Sequence, residues 1–221
     1  MVNFESWYTN STFAANNNRF DVGNTCKEAI EHYRRFNNTE NCGLRKGRCG
    51  NGSLMRILPT MFLHDEVVLK VSRLTHNNET CDLAALAYTR YARELAKGTD
   101  KNEAISVVLD TLKNKEQYNK TVNKLSKETS EEEIFSTGYV IDTFEAAMWC
   151  FLTTDNYKDC VLKAVNLGED TDTIAAVAGG LAGIYYGIAS DENKAGIPLY
   201  WINKLQDIET INEILNAANL D

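Results

Sequence analysis

Apolar residues recur along most of this chain at intervals of three and four, and few segments alternate with period two. That pattern predicts helices throughout. The run "CDLAALAYTRYARELAKG" sets Leu83, Leu86, Tyr88, Tyr91 and Leu95 on roughly one side, with Gly98 as a C-terminal stop. "NEAISVVLDTLKN" and "VIDTFEAAMWCFLTT" repeat the period, the second closing at the polar "TTDNY". "YKDCVLKAVNLG" predicts a shorter helix ended by Gly168. "LQDIETINEILNAANL" predicts a last amphipathic one, with Ile208, Ile211, Ile214 and Leu215 as its stripe. Prolines stand only at Pro59 and Pro198, so little breaks these periods. The expected fold is all-α, in a single domain over residues 1–221.

Two segments need separate treatment. The run from Ile174 to Ser190 has no charge but, at 17 residues, falls short of a comfortable membrane span. Ala175, Gly179, Gly183 and Gly187 are spaced by four in it, which draws one bare stripe along a helix. A bare stripe lets a neighbouring helix approach closely. Three glycines on one face cost roughly 1 kcal/mol each relative to alanine, so close packing must outweigh that cost. The expectation is a central buried helix. The segment from Lys115 to Glu133, "KEQYNKTVNKLSKETSEEE", is charged and poor in aliphatic residues, which predicts an exposed helix or loop and no domain boundary.

Composition narrows the partners. The net charge of -8 argues against nucleic acid or an anionic membrane, since a phosphate-rich surface would be repelled. Small anions are a different matter, because helix N-termini and local donors hold phosphates on acidic proteins too. The six cysteines form no CxxC pair and no Cys/His cluster with zinc spacing. The start "MVNFESWYTNSTF" lacks a basic region followed by an apolar run, so a reducing, cytoplasmic setting is expected.

Four stretches could carry chemistry. In "NLGEDTDTIAAVAGGLAGIYYG" the segment Asp170-Thr171-Asp172-Thr173 stands at a helix start. Capping explains one such residue, since Asp and Thr satisfy free N–H groups there. Two carboxylates at i and i+2 with a hydroxyl at i+3 can also aim oxygens at a hard cation. In "GRCGNGSLMRILPT", Gly50-Asn51-Gly52 precedes a helix-like "SLMRIL"; it is either a plain turn or a loop presenting N–H groups to a phosphate. His76 in "RLTHNNETC" opens a polar turn that could cap the next helix, or it faces a ligand. "FDVGNT" marks a helix N-terminus around Asn24.

Together these stretches resemble the ADP-ribosylglycohydrolase family. The similar motifs are "FDVGNT", "GNGSLMRILP", "LTH", "GYVIDTFEAAMWCF" and "AVNLGEDTDTIAAVAGGLAGIYYG" followed by "IPLYW", running from about residue 20 to Trp201. The resemblance implies a compact orthogonal helical domain and a site holding two Mg²⁺ or Mn²⁺ ions. It implies metal-ligand roles for Asp170, Asp172 and Thr173. It places Gly50, Asn51 and Gly52 against the diphosphate or ribose, His76 close to the ligand, and Tyr139 and Val140 along the ribose or adenine. The implied partner is ADP-ribose or an ADP-ribosylated substrate. The implied reaction is metal-dependent hydrolysis of the glycosidic bond between ADP-ribose and an amino-acid side chain or small molecule.

One departure changes the expectation. Family members carry a Thr-Asp-Asp segment before the glycine loop, on an N-terminal helix that supplies the remaining metal ligands. Here the acids before position 100 include Asp21, Asp65 and Asp82, none in that pattern, and Asp65-Glu66 follows the loop. The chain is therefore expected to be an N-terminally incomplete member that binds one ion or none, with no catalytic residue assigned. Three outcomes follow: a functional hydrolase, a module that binds ADP-ribose without turnover, or an inert relative whose exposed apolar groove drives homodimerisation.

Overall fold

The computed structural model describes residues 1–39, 42–43, 49–125 and 128–217. In chain order the helices are α1 (Val2–Asn10), α2 (Asn24–Phe36), α3 (Asp65–Arg73), α4 (Glu79–Ala96), α5 (Lys101–Leu112), α6 (Asn119–Leu125), α7 (Val140–Leu152), α8 (Tyr157–Asn166), α9 (Thr171–Tyr186), α10 (Leu199–Ile202) and α11 (Ile208–Ala217). Among the described residues the β-type pairings are two isolated bridges, Gly50 with Tyr139 and Ile188 with Ile197. The fold is all-α, as the periodicity requires.

Local chemistry sets several helix starts. Asn78 caps α4 by accepting from the Thr80 amide at 2.8 Å, Asp100 caps α5 through Asn102 N at 2.8 Å, and Asn156 caps α8 through Asp159 N at 2.8 Å. The polar turn that His76 opens thus caps α4, through Asn78 two residues on.

The core is built on α4, α7 and α9. Tyr88, Tyr91, Phe144, Met148, Phe151, Ile174 and Leu181 are all buried. Buried hydroxyls need partners, and these find them across helices: Tyr88 Oη donates to Val177 O at 2.8 Å, tying α4 to α9, and Tyr91 Oη donates to Lys101 O at 2.7 Å.

The α9 helix is central, with its small residues used as close-contact points. A Cβ at Gly179 would lie 3.2 Å from Val161 Cγ2 and 3.3 Å from Tyr157 Oη, so that glycine seats α8. The tightest approach within α9 falls outside the stripe of four: a Cβ at Gly180 would come within 2.6 Å of Leu58 Cδ2 and 2.8 Å of Tyr88 Oη. The helix stops at Tyr186, short of Ser190. Gly187, at φ 66°, is its C-cap, so this glycine turns the chain and is not part of the stripe. No helix among the described residues is long and apolar enough to cross a membrane.

Two further expectations change. "SLMRIL" forms successive 3-10 turns, Leu54–Arg56 and Leu58–Phe62, with no α-helix; Pro59 lacks the N–H a continuing helix would use. The charged 115–133 segment is only partly a solvated face; its Ser126 and Lys127 lie outside the described residues. Tyr118 and Thr121 are fully buried. Thr121 Oγ1 donates to Glu145 Oε1 at 2.6 Å, and Lys124 Nζ pairs with Glu145 Oε2 at 2.6 Å. Glu145 on α7 is thus a buried carboxylate whose partners come from that charged run.

Candidate functional site

The start of α9 is shaped by its approach. Gly168 (φ 88°) and Glu169 (φ 51°) both take left-handed backbone, a sharp reversal after α8. Asp170 follows at φ −89°, ψ 58°, and its carbonyl accepts the first helical bond from Ile174 N at 3.1 Å. Its own amide donates to Ser136 O at 3.1 Å. The Asp170 side chain makes no cap bond. Its Oδ2 instead accepts from Asn51 Nδ2 at 2.6 Å, across 119 positions of sequence. Capping therefore does not explain this carboxylate. In the first turn of α9, Asp172 is exposed and Thr173 is buried.

The glycine loop reaches that carboxylate because it is hydrogen-bonded to the segment leading into α7. Val140 N donates to Cys49 O at 2.8 Å and Asn51 N to Gly138 O at 3.1 Å, which makes the short bridge between Gly50 and Tyr139. Asn51 Nδ2 also donates to Thr143 Oγ1 at 2.8 Å, and Thr143 Oγ1 donates to Thr137 O at 3.0 Å. Thr137 Oγ1 donates to Asp142 Oδ2 at 2.6 Å. Gly138 is needed for room: a Cβ there would lie 3.3 Å from Asp170 Oδ2. Gly47 and Arg48, the start of the glycine-rich stretch, lie outside the described residues.

His76 lies beneath this loop. It is 1% exposed, and a Cβ on Gly52 would lie 3.0 Å from its Cε1, one on Gly50 3.6 Å from its Nε2. Gly52 gives the ring its space, whereas a side chain at Gly50 would make only ordinary contact with it. Burial, together with the nearby Arg56 charge, pushes the His76 pKa down to about 4, so the ring is neutral at physiological pH.

Most of the sequence-derived residues therefore converge. Gly50, Asn51 and Gly52, Tyr139, Val140, His76 and Asp170 form one connected group, with Asp172 and Thr173 in the helical turn that Asp170 opens. Val140 joins through its backbone, its side chain being buried, whereas Tyr139 is 42% exposed. Reading the sequence missed Thr143, Ser136, Thr137 and Gly138. The signal for Thr143 was its place one turn after Tyr139 in a mostly apolar helix, where a threonine reads as filler.

The donor set bears on a cation. Asp170, Asp172 and Thr173 offer hard oxygens on one turn, which suits a single Mg²⁺- or Mn²⁺-like ion keeping much of its water. Among the described residues, no group of three or more His, Cys, Asp or Glu side chains gathers as a metal-binding cluster.

Comparisons with known proteins bear on the family and the fold. The ADP-ribosylglycohydrolase family model matches residues 2–220. The chain is 32% identical to an ADP-ribosylarginine hydrolase, Tri1, of Serratia proteamaculans, over 94% of this chain and 57% of that protein. It is 31% identical to the ADP-ribosyl-dinitrogen reductase glycohydrolase of Rhodospirillum rubrum, over 88% of this chain and 63% of that one. The chain thus spans about three-fifths of the length of these relatives. A solved structure described as an ADP-ribosylglycohydrolase-related protein complex superposes with a TM-score of 0.68 at 26% identity, covering 83% of this chain and 63% of that one. By its sequence match, its fold and its relatives, the chain belongs to the ADP-ribosylglycohydrolase family.

Proposed function

We propose that this chain acts on ADP-ribose joined to a guanidine, hydrolysing the glycosidic bond at the ribose C1″. Water would deliver its oxygen to C1″ and a proton to the departing guanidine. The observation that carries the reading is the Asn51–Asp170 hydrogen bond at 2.6 Å, which locks the glycine loop to the acidic start of α9. It puts a loop able to lie against a diphosphate beside carboxylates able to orient ribose hydroxyls. The relatives named as ADP-ribosylarginine hydrolases support the choice of guanidine.

Asp170, Asp172 and Thr173 would hold a Mg²⁺ or Mn²⁺ ion. When bound, such an ion supplies charge that orients the ribose and makes water more acidic. Asn51 holds Asp170 in place for this, and the exposed Tyr139 borders the ribose or adenine. Six free cysteines support a reducing, cytoplasmic setting. The exposed stripe Ile208, Ile211, Ile214 and Leu215 supports a homodimer.

The Gly50–Gly52 loop packed over the buried His76 ring also supports a second reading, in which ADP-ribose is bound without turnover. One assay separates the two. Purified chain is incubated with ADP-ribosyl-arginine and Mn²⁺, and free ADP-ribose is measured beside equilibrium binding. Release that Asp170→Asn abolishes supports hydrolysis. Binding without release supports the second reading, and neither binding nor release overturns both.

A further inference from the structure

Arg56 closes a ring of contacts that the proposed chemistry has not used. One guanidinium nitrogen (Nη1) donates to Gly52 O. The other (Nη2) donates to Thr75 Oγ1 at 2.6 Å and lies 3.4 Å from Val71 O. Thr75 Oγ1 is 2.7 Å from His76 Nδ1, and the His76 ring underlies Gly50 and Gly52. The glycine loop, Arg56, Thr75 and His76 therefore hold one another. With its Oγ1 accepting from Arg56, the Thr75 hydroxyl is free to donate to Nδ1, which leaves the imidazole proton on Nε2, the nitrogen nearer Gly50.

Among the described residues, the charge of Arg56 is also left without an acidic partner. Within the same residues its Nε is buried without a hydrogen-bond partner, and its aromatic neighbour is Phe4, with the ring centroid at 5.1 Å. Burial lowers its pKa from the ordinary value. A guanidinium with no anion beside it among the described residues, on a chain of net charge -8, is a costly arrangement. A negatively charged ligand lying on the loop would offset it.

We propose that Arg56 is a positioning residue of this site: it clamps the Gly50–Gly52 loop to the Thr75–His76 turn, and its unpaired charge makes the loop select a diphosphate-bearing ligand over an uncharged nucleoside. This selectivity rests on the reading that the loop faces a nucleotide. The clamp itself does not.

The test compares wild type, Arg56→Met and Arg56→Lys by calorimetric titration with ADP-ribose and with adenosine, and by amide exchange at Asn51 and Gly52. Arg56→Met should weaken ADP-ribose at least about tenfold while changing adenosine little, as loss of one nearby charge predicts. Arg56→Lys keeps a charge but cannot bridge two acceptors as a planar fork. It should retain more of the selectivity while the loop amides exchange faster. Equal losses for both ligands, or unchanged ADP-ribose affinity, would overturn the selectivity. Unchanged loop exchange in Arg56→Lys would overturn the clamp, even if Arg56→Met fails to fold. If wild type binds neither ligand, the nucleotide reading fails and with it the selectivity, whereas the exchange data still decide the clamp.

Discussion

Asn51 Nδ2 lies 2.6 Å from Asp170 Oδ2 and 2.8 Å from Thr143 Oγ1, so one amide group joins the glycine loop, α7 and the start of α9. Asn51 is 9% exposed, which removes most of the water that could replace it. Asn51→Ala should therefore lower stability by about 1–3 kcal/mol, the usual cost of stranding buried polar partners. Urea denaturation measures this, and an unchanged midpoint would show that the junction holds without Asn51.

Asn51→Asp gives a sharper test. It places a carboxylate against Asp170 and removes the donor, so the fold should be weaker than in Asn51→Ala. A divalent cation should restore part of the loss, because paired carboxylates attract Mn²⁺. Melting temperatures with and without Mn²⁺ check it, and equal temperatures in both conditions would count against these oxygens as cation donors.

Direct Mn²⁺ titration of the wild-type chain bears on the same donors. Asp170, Asp172 and Thr173 alone should hold one weakly bound ion, and Asp172→Ala should remove it. Electron paramagnetic resonance counts the free ion. Two tightly bound ions would mean that ligands beyond this turn take part.

His76 makes stability depend on pH. Its folded pKa of about 4 lies below the unfolded value of about 6.5, so between these limits the unfolded chain binds the extra proton. The stabilisation is complete above pH 6.5 and is lost as pH falls toward 4. It amounts to something on the order of 3 kcal/mol. Denaturation of wild type and His76→Gln across that window should show a steeper wild-type slope. Parallel curves would place the titration elsewhere.

Gly180→Ala tests the centre of the core. Its Cβ would meet Leu58 Cδ2 at 2.6 Å and Tyr88 Oη at 2.8 Å; the leucine end can rotate, but the tyrosine hydroxyl is bonded to Val177 O. Overpacking costs about 1–3 kcal/mol, against roughly 1 kcal/mol gained from helix propensity. Gly180→Ala should be destabilising and Gly179→Ala, with neighbours at 3.2–3.3 Å, less so. The order of their urea midpoints decides the point.

Periodicity alone determined the helices of the α4, α5, α7, α8 and α9 segments, because a 3.6-residue repeat of apolar side chains is a local property that burial only makes use of. Composition likewise placed small residues where α9 is approached closely. Tertiary structure decided what each polar residue does. Asp170 reads as a cap because capping is local, yet its carboxylate is taken by Asn51, a partner 119 positions away that no spacing rule could supply. Tyr118 and Thr121 sit in a charged run that reads as solvated, yet both are buried, Tyr118 donating to Thr80 O on α4 and Thr121 to Glu145 on α7. Gly180, outside the regular stripe, carries the tightest packing in α9, since its contact is with Tyr88 and Leu58 and depends on how α4 crosses α9. Local spacing specifies which residues share a helix face. The partner that face meets, and so the chemistry of a buried donor or charge, is settled only when distant segments pack.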